Sequence, residues 1–162
     1  MNQARFAEVL RRLAANEVEF IVVGMMAGVL RGAPVLTADL DLVHRRSLRN
    51  VSRLLEVLAG LDAVYRHDPR RLRPGESHLM SPGHQLLATT HGDVDCLGAV
   101  GEGQTYEDLL SHAPELSLGE GLSVHVIDLP TLIELKEKAG RPKDLAVLPV
   151  LRATLAETLR RS

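Results

Sequence analysis

Two aspartates separated by one residue stand in the apolar segment Thr37-Ala38-Asp39-Leu40-Asp41-Leu42-Val43. Because side chains alternate between the two faces of an extended strand, Asp39 and Asp41 are expected on one face and the leucines on the other. Two carboxylates about 7 Å apart along a strand raise one another's pKa. A hard divalent cation bound by oxygen ligands relieves that repulsion, so the pair predicts a Mg²⁺ or Mn²⁺ site. The alternative is a solvated sheet edge or turn.

A short buried strand, Glu19-Phe20-Ile21-Val22-Val23-Gly24, precedes this pair and ends in a glycine. The small residues after it, from Met25 to Leu30, are able to open a helix. A strand, a glycine turn and a helix N-terminus direct backbone N–H groups to one spot, which suits phosphate. The two aspartates follow closely enough for their strand to lie beside the first. A phosphate turn next to metal-binding carboxylates predicts that the chain handles a nucleoside triphosphate.

A third carboxylate is expected on a later strand. The segments 85–90 and 93–97 flank His91-Gly92 and predict a β-hairpin with a two-residue turn. Asp93 and Asp95 would share one face of its second strand, so both are candidates. Asp93 adjoins the turn, where aspartate is common anyway, and Asp95 lies further into the strand.

Three segments together resemble the signature of the minimal nucleotidyltransferase fold: Val22-Val23-Gly24, Thr37-Ala38-Asp39-Leu40-Asp41 and Gly92-Asp93-Val94-Asp95. The nearer resemblance is to the bacterial AbiEii/MNT-like nucleotidyltransferases, which include toxins and antitoxins, and it covers about residues 18–155. It implies an α/β (α+β) fold with a mixed twisted sheet flanked by helices and with C-terminal helices. It also implies that Asp39, Asp41 and Asp95 are catalytic and bind the metal, because Asp95-Cys96-Leu97 matches the family's acid followed by apolar residues.

The tail Leu135–Leu145 is similar to the C-terminal lysine helix and K-D element of that family. The nucleotide-binding residues that the resemblance implies are Gly24, Met25, Thr37, Lys136, Arg141, Lys143 and Asp144. The alternative for Lys136 is a solvated lysine, and in either case its replacement is expected to leave the melting temperature nearly unchanged, since an exposed lysine contributes little stability. The alternative for Asp144 is an acid favoured in the first turn of a helix.

The activity implied is metal-dependent transfer of a nucleoside monophosphate from an NTP to an RNA end, such as that of a tRNA, or to a protein hydroxyl. The implied setting is a toxin–antitoxin or phage-defence system, with a cognate toxin or antitoxin as partner. The alternative is a module of the same fold that binds nucleotide, RNA or a partner protein without turnover.

The sequence departs from the family's pattern at two positions. Met25 stands where Gly or Ser normally follows the first glycine, and it is expected to line the pocket edge and crowd the phosphate turn. Val35 stands where a basic residue often precedes the aspartates, although Arg31 is near. The retained carboxylates favour an enzyme, whereas these two departures favour the binding module or a slow transferase.

The 162 residues are expected to form one domain, with an N-terminal helix in 1–17, a core in 18–128 and a C-terminal helical element in 129–162. A net charge of −2 argues against a strongly electrostatic nucleic-acid binder, and the scarcity of aromatic residues leaves few stacking platforms. The arginine-rich loop 67–75 is interpreted as solvated or, alternatively, as facing the substrate. The irregular spacing of His67, His78, His84 and His91 favours surface histidines over a zinc site.

Cys96 is the only cysteine, so no intrachain disulfide is possible, which is typical of a reducing compartment. The first residues lack the pattern of a secretory signal. The longest apolar run, Phe20 to Leu30, is too short to cross a bilayer. These features predict a cytoplasmic protein without membrane contact.

The apolar periodicity and the turn residues predict the remaining elements. Ser47 is expected to cap a helix that runs to Ala59, and Asp128 is expected to begin a helix with Pro130 in its first turn. The other predicted helices cover residues 3–16, 25–31, 105–112 and 143–160, and the other predicted strands cover 62–66 and a hairpin between 116 and 126.

Overall fold

The computed structural model describes residues 2–162, with side chains from Arg5 onward. The strands are β1 (Phe20–Val23), β2 (Asp39–His44), β3 (Val64–Tyr65), β4 (His84–Thr89), β5 (Gly92–Leu97), β6 (Glu115–Ser117) and β7 (Ser123–Val126). The helices are α1 (Asn2–Ala15), α2 (Gly24–Leu30), α3 (Leu48–Gly60), α4 (Glu76–Met80), α5 (Tyr106–Leu109), α6 (Leu129–Ala139), α7 (Pro142–Ala146) and α8 (Leu148–Arg161). None of the described helices combines the length and the apolar character needed to cross a bilayer.

The strands form one sheet in the order β3-β4-β5-β2-β1-β7-β6. The central strand β2 is parallel to β5 on one side and antiparallel to β1 on the other. The pair β1–β7 is also parallel, and the pairs β3–β4, β4–β5 and β6–β7 are antiparallel. The sheet is therefore mixed, as the sequence predicted.

The core explains the apolar patterns of the sequence. Ile21 and Val22 of β1 are fully buried because this strand is covered on both faces. On β2, Leu40 and Leu42 are buried while the aspartates between them face the other side. Helix α1 buries one apolar stripe, which consists of Phe6, Val9, Leu10 and Leu13.

The predicted caps of the two principal core helices are present. The Ser47 side chain accepts a hydrogen bond of 3.2 Å from the Asn50 N–H and so caps α3. The Asp128 carboxylate likewise accepts a hydrogen bond of 2.9 Å from the Thr131 N–H at the start of α6. These bonds satisfy backbone donors that have no partner inside the helix.

The predicted hairpin is present, but its turn lies one residue earlier than predicted. Thr89 pairs with Gly92, so the two loop residues are Thr90 and His91 and the glycine belongs to β5. Gly92 is the first residue of β5, and its φ is +109°, a backbone conformation that residues with a side chain rarely adopt. Glycine is therefore favoured at this position.

The predicted helix 143–160 is interrupted. Helix α7 ends at Ala146 and α8 begins at Leu148, with Val147 between them. Pro149 has no N–H to donate to the Leu145 carbonyl, and its ring would clash with that carbonyl in a continuous helix. The break therefore follows from Pro149, which a prediction based on apolar periodicity alone does not take into account.

Helix α4 was not predicted, because its five residues are too few for a periodic pattern. Its packing on the core holds it in place. Leu79 is fully buried, and its carbonyl lies 2.7 Å from the Nε2 of His44 at the end of β2. Burial lowers the pKa of this histidine, so the neutral ring is favoured.

Candidate active site

Three carboxylates meet on one face of the sheet. The parallel register of β2 and β5 places Asp41 opposite Asp95 and Asp39 opposite Asp93. One carboxylate oxygen from each of Asp39, Asp41 and Asp95 lies within 4.8 Å of the others. Asp93 lies outside this cluster. The structure thus brings Asp95 together with the two aspartates of β2.

Gly24 lies directly against this cluster. It follows Val23, which pairs with Asp41 across the β1–β2 ladder. Its φ is +64°, and a Cβ placed there would come within 2.5 Å of Oδ2 of Asp41. Both the backbone conformation and the space require glycine, so the turn after β1 and the carboxylate of Asp41 fit together only without a side chain.

The environment of Asp41 favours its protonated form when no cation is bound. Burial first, and then the charges of Asp95 and Asp39, raise the pKa of Asp41 to about 7. Burial and then Asp95 also raise the pKa of Asp39. Among the described residues, Oδ1 of Asp41 is buried without a hydrogen-bond partner.

A buried oxygen without a partner, within a group of three carboxylates, is a donor set for a hard divalent cation. Mg²⁺ and Mn²⁺ both prefer carboxylate oxygens. The residues present therefore fit the metal that the sequence predicted, and Asp39, Asp41 and Asp95 are the residues that could hold it.

Arg66 completes the acidic side of the site, and the sequence reasoning missed it. Its Nη1 donates hydrogen bonds of 2.9 Å to Oδ1 of Asp95 and to the Leu87 carbonyl, and its Nε lies 3.7 Å from Oδ2 of Asp93. Arg66 follows β3, so its side chain reaches across β4 to β5. The one signal in the sequence was an arginine at the end of a short predicted strand.

The basic side of the site is built around Asp144. This residue is fully buried, and its carboxylate lies 3.3 Å from Nζ of Lys136 and 2.6 Å from Nε of Arg141. Hydrogen bonds from Arg141 first, and also from Lys136, hold the pKa of Asp144 below its usual range. Asp144 thus fixes the side chains of Lys136 and Arg141 beside the three carboxylates. Its burial was not apparent from its position in a short helical segment.

A cavity of about 410 Å³ lies between the acidic and basic sides. Its lining includes eight of the predicted or newly found residues already described: Gly24, Asp39, Asp41, Arg66, Asp95, Lys136, Arg141 and Asp144. Lys143 also lines it, and the charge of this lysine lowers the pKa of Asp39 against the effect of burial. The remaining wall is mostly aliphatic and includes Leu86, Leu97, Val100, Leu132 and Leu135.

Two residues predicted to bind the nucleotide, Met25 and Thr37, do not line the cavity, and neither does Val35, where the sequence departs from the family's pattern. The expectation that the Met25 side chain lines the pocket edge is wrong. That side chain packs against the core, and a Cβ on Gly28 would lie 3.5 Å from its Cε. Its backbone N–H remains at the turn after Gly24. Thr37 is half-buried and its hydroxyl donates a hydrogen bond of 3.4 Å to the Asp39 carbonyl, while Val35 packs against the core. The structure places neither residue on the cavity wall.

Among the described residues, the group that could hold a metal consists of aspartates alone and includes neither a histidine nor Cys96. His84 is exposed and lines the cavity, with its Nε2 2.9 Å from the Ala99 carbonyl. Cys96 is fully buried, and burial first, then Asp95 and Asp41, raises the pKa of its thiol to about 12. Such a thiol is a core residue and not a nucleophile.

No protein-family model matches this sequence, and no curated protein matches it. Among the solved structures that are similar to it, two match over almost the whole chain. One is the crystal structure of a candidate nucleotidyltransferase from Thermotoga maritima, with a TM-score of 0.54 and 17% identity, covering 96% of this chain and 88% of that one. The other is the solution structure of the antibiotic-resistance factor ANT(2″)-Ia, with a TM-score of 0.61 and 15% identity, covering 99% of this chain and 89% of that one. At these identities the likeness concerns the fold, and the chain therefore has the nucleotidyltransferase fold that its sequence predicted.

Proposed function

We propose that this chain is a metal-dependent nucleotidyltransferase, which moves a nucleoside monophosphate from an NTP to an acceptor hydroxyl. One observation carries the proposal. Asp39, Asp41 and Asp95 converge beside the turn at Gly24, and the basic side chains held by Asp144 lie on the opposite side of the cavity. Binding a metal–triphosphate complex requires carboxylates that hold the metal ion and basic side chains that neutralise the phosphates. The fold of both solved neighbours supports the same activity.

The residues divide the work of the reaction. Asp39, Asp41 and Asp95 would hold the metal, which supplies stabilisation of the charge on the attacking and leaving oxygens. Gly24 leaves room for the carboxylate of Asp41, and the backbone of the turn would cradle the β- and γ-phosphates. Lys136 would neutralise charge on the β- and γ-phosphates, and it is positioned for this by its bond to Asp144.

The bonds made and broken follow from this arrangement. The acceptor oxygen forms a bond to the α-phosphorus, the bond between that phosphorus and the β-phosphate oxygen breaks, and pyrophosphate leaves with the electron pair. The hydroxyl proton passes to a carboxylate of the cluster. Asp95 suits this role, because Arg66 holds its Oδ1 and fixes its orientation.

The resemblance of the sequence suggests an RNA end or a protein hydroxyl as acceptor, within a toxin–antitoxin or phage-defence system. The second candidate function is binding of nucleotide, RNA or a partner protein without turnover. The feature of the sequence that suggested it is Met25, which leaves the turn after Gly24 without a hydroxyl, but the Met25 side chain packs on the core and does not crowd this turn. Turnover separates the two candidates.

The test is incubation with each α-labelled NTP in Mg²⁺, with total RNA or cell lysate as acceptor, followed by electrophoresis. Label should transfer to one acceptor class, and Asp39→Asn should abolish the transfer. Asp93→Asn is the matched control, because it changes the same charge on the same face outside the carboxylate cluster. Transfer that survives in Asp39→Asn would refute the assignment, and NTP binding without transfer by the wild type would establish the binding module.

A further inference from the structure

One carboxylate oxygen of Asp95 is already engaged by the protein. Its Oδ1 accepts a hydrogen bond of 2.9 Å from Nη1 of Arg66, and the same nitrogen donates one of 2.9 Å to the Leu87 carbonyl. Only 15% of the Arg66 side chain and 10% of the Asp95 side chain are exposed, so water has little access to this ion pair. A guanidinium keeps its proton in proteins, and the positive charge beside Oδ1 is therefore permanent.

The position of Arg66 is fixed from several sides. Its backbone N–H donates a hydrogen bond of 2.9 Å to the Leu86 carbonyl, and Leu86 is the residue of β4 that pairs with Asp95. Its Nε lies 3.7 Å from Oδ2 of Asp93. If the Arg66 side chain moved away, Asp95 would be left buried without its partner, which is costly. The hold on Oδ1 is therefore a lasting feature of the folded chain.

The carboxylate of Asp41 is also restricted at one oxygen. Its Oδ2 lies against Gly24, where a Cβ would come within 2.5 Å of it. Its Oδ1 is buried and has no hydrogen-bond partner among the described residues. The backbone of the turn thus covers one oxygen of Asp41, as Arg66 covers one oxygen of Asp95. Each of these two aspartates presents a single oxygen to the cluster.

Divalent cations differ in how they use a carboxylate. Ca²⁺ takes about six to eight oxygen ligands in a flexible geometry and often binds both oxygens of one carboxylate. Mg²⁺ demands an octahedron of oxygens at about 2.0–2.1 Å and keeps several waters. A cation bound by both oxygens of Asp95 would lie beside the guanidinium of Arg66, and like charges repel. Aspartates that offer one oxygen each therefore suit the octahedral ions.

We propose that Arg66 is a positioning residue that selects the metal ion: by holding Oδ1 of Asp95, it prevents this carboxylate from binding a cation through both oxygens, and the site favours Mg²⁺ or Mn²⁺ over Ca²⁺. This inference rests on the metal-binding role in the proposed function and names the residue that determines which ion is accepted. The choice matters for the reaction, because in-line transfer requires reacting groups that are held in one fixed geometry.

A role of Arg66 in charge balance alone predicts a different result. Lys143 also lines the cavity and its charge also acts on Asp39, but its side chain makes no hydrogen bond to the three carboxylates within residues 5–162. Removal of either positive charge strengthens the attraction for all divalent cations alike. Only removal of Arg66 also frees a second oxygen of Asp95. The ratio of the affinities for two cations therefore separates the two roles.

The test measures the binding of metal ions alone to the whole chain, without nucleotide and without turnover. The Mn²⁺ affinity is obtained from the electron paramagnetic resonance signal of the free ion, and the Ca²⁺ affinity from its competition with Mn²⁺. Arg66→Met should shift the ratio of the two affinities toward Ca²⁺ by about tenfold, which is the scale on which partners of metal ligands act. Lys143→Met is the matched control, and it should keep the wild-type ratio.

Arg66→Lys is a second variant, which keeps a positive charge beside the buried Asp95 and so protects the fold. An ammonium group lacks the planar fork of the guanidinium that fixes the carboxylate. The ratio for Arg66→Lys should therefore shift in the same direction as for Arg66→Met, by a smaller factor. A wild-type ratio in the folded Arg66 variants, or an equal shift in Lys143→Met, would overturn the inference. Circular dichroism shows which variants are folded.

Failure of this inference and failure of the proposed function give different results. Mn²⁺ binding with a wild-type ratio in the Arg66 variants would refute selection by Arg66 and leave the metal role of the aspartates. No Mn²⁺ binding by the wild type would refute that metal role, and both proposals with it. A shifted ratio without transfer of label from any NTP would support the inference and refute the transferase.

Discussion

Replacing Asp41 with asparagine is expected to stabilise the metal-free protein at pH 8 and to abolish its response to Mn²⁺. Burial and the neighbouring carboxylates raise the pKa of Asp41 from 3.8 to about 7 in the folded state. The folded protein therefore holds this proton more tightly than the unfolded chain does. The resulting stabilisation is complete below pH 3.8 and is lost as the pH rises through about 7.

The size of the effect follows from this difference in pKa. About three pH units correspond to about 4 kcal/mol at pH values well above 7, as an upper limit. Rearrangement of the charged side chains around the site relieves part of this cost. We therefore expect Asp41→Asn to recover about 1–3 kcal/mol at pH 8, which raises the Tm by about 3–10 °C for a chain of this length. At pH 5 the gain should be less than about half as large, because the wild-type carboxyl is then mostly protonated.

The assay is thermal unfolding followed by circular dichroism at pH 5 and pH 8, in EDTA and then in millimolar Mn²⁺. Mn²⁺ should raise the Tm of the wild type by mass action and leave Asp41→Asn unchanged. Asp93→Asn controls for the loss of one negative charge on the same face, and its Tm should stay close to that of the wild type. A variant less stable than the wild type at pH 8, or one with a wild-type response to Mn²⁺, would refute the reasoning.

Three further substitutions test other interactions of the site. Gly24→Ala should lower the free energy of unfolding by about 1–3 kcal/mol, measured in urea, because its Cβ meets Asp41 and its φ is positive; wild-type stability would show that the turn relaxes freely. Lys136→Ala should lower the Tm and weaken NTP binding, because it removes a partner of the fully buried Asp144. This differs from the expectation for an exposed lysine. An unchanged Tm and an unchanged NTP affinity would show that Lys136 is a solvated lysine. Met25→Ser should lower the free energy of unfolding by about 1 kcal/mol or more, since the Met25 side chain packs on the core. It should leave the NTP affinity unchanged in a calorimetric titration. Tighter NTP binding by this variant would instead place Met25 at the phosphates.

The part of the site that the sequence predicted depends on local periodicity. Alternation in β2 is enough to place Asp39 and Asp41 on one face, and the hairpin pattern is enough to bring a carboxylate of β5 beside them. Arg66 was missed because its hydrogen bond to Asp95 crosses a whole strand, and no local pattern encodes an interaction between β3 and β5. The burial of Asp144 was not predicted for a related reason, since it depends on the packing of α7 against α6.

Met25 shows the limit of reasoning from a family's pattern. Its position in the sequence was interpreted correctly as the residue after the turn glycine, but the direction of its side chain depends on where α2 packs. That side chain ends near Gly28, where Leu132 and Leu151 also approach. A helix face cannot be assigned from one residue at a strand-to-helix junction, because neither the period of the strand nor that of the helix applies there.

The position of β2 between two hydrogen-bonded neighbours has a consequence for hydrogen exchange. The amides around Asp39 and Asp41 can open only if a ladder to β1 or β5 breaks, which requires separation of the central sheet. The residues around Lys136 and Arg141 belong to the end of α6 and to a short helix at the surface, which can unfold locally at much lower cost. Amides of β2 should therefore exchange only through global unfolding, while those of α7 exchange early. A partly opened molecule would keep the three clustered carboxylates in place and separate the basic side chains from them first.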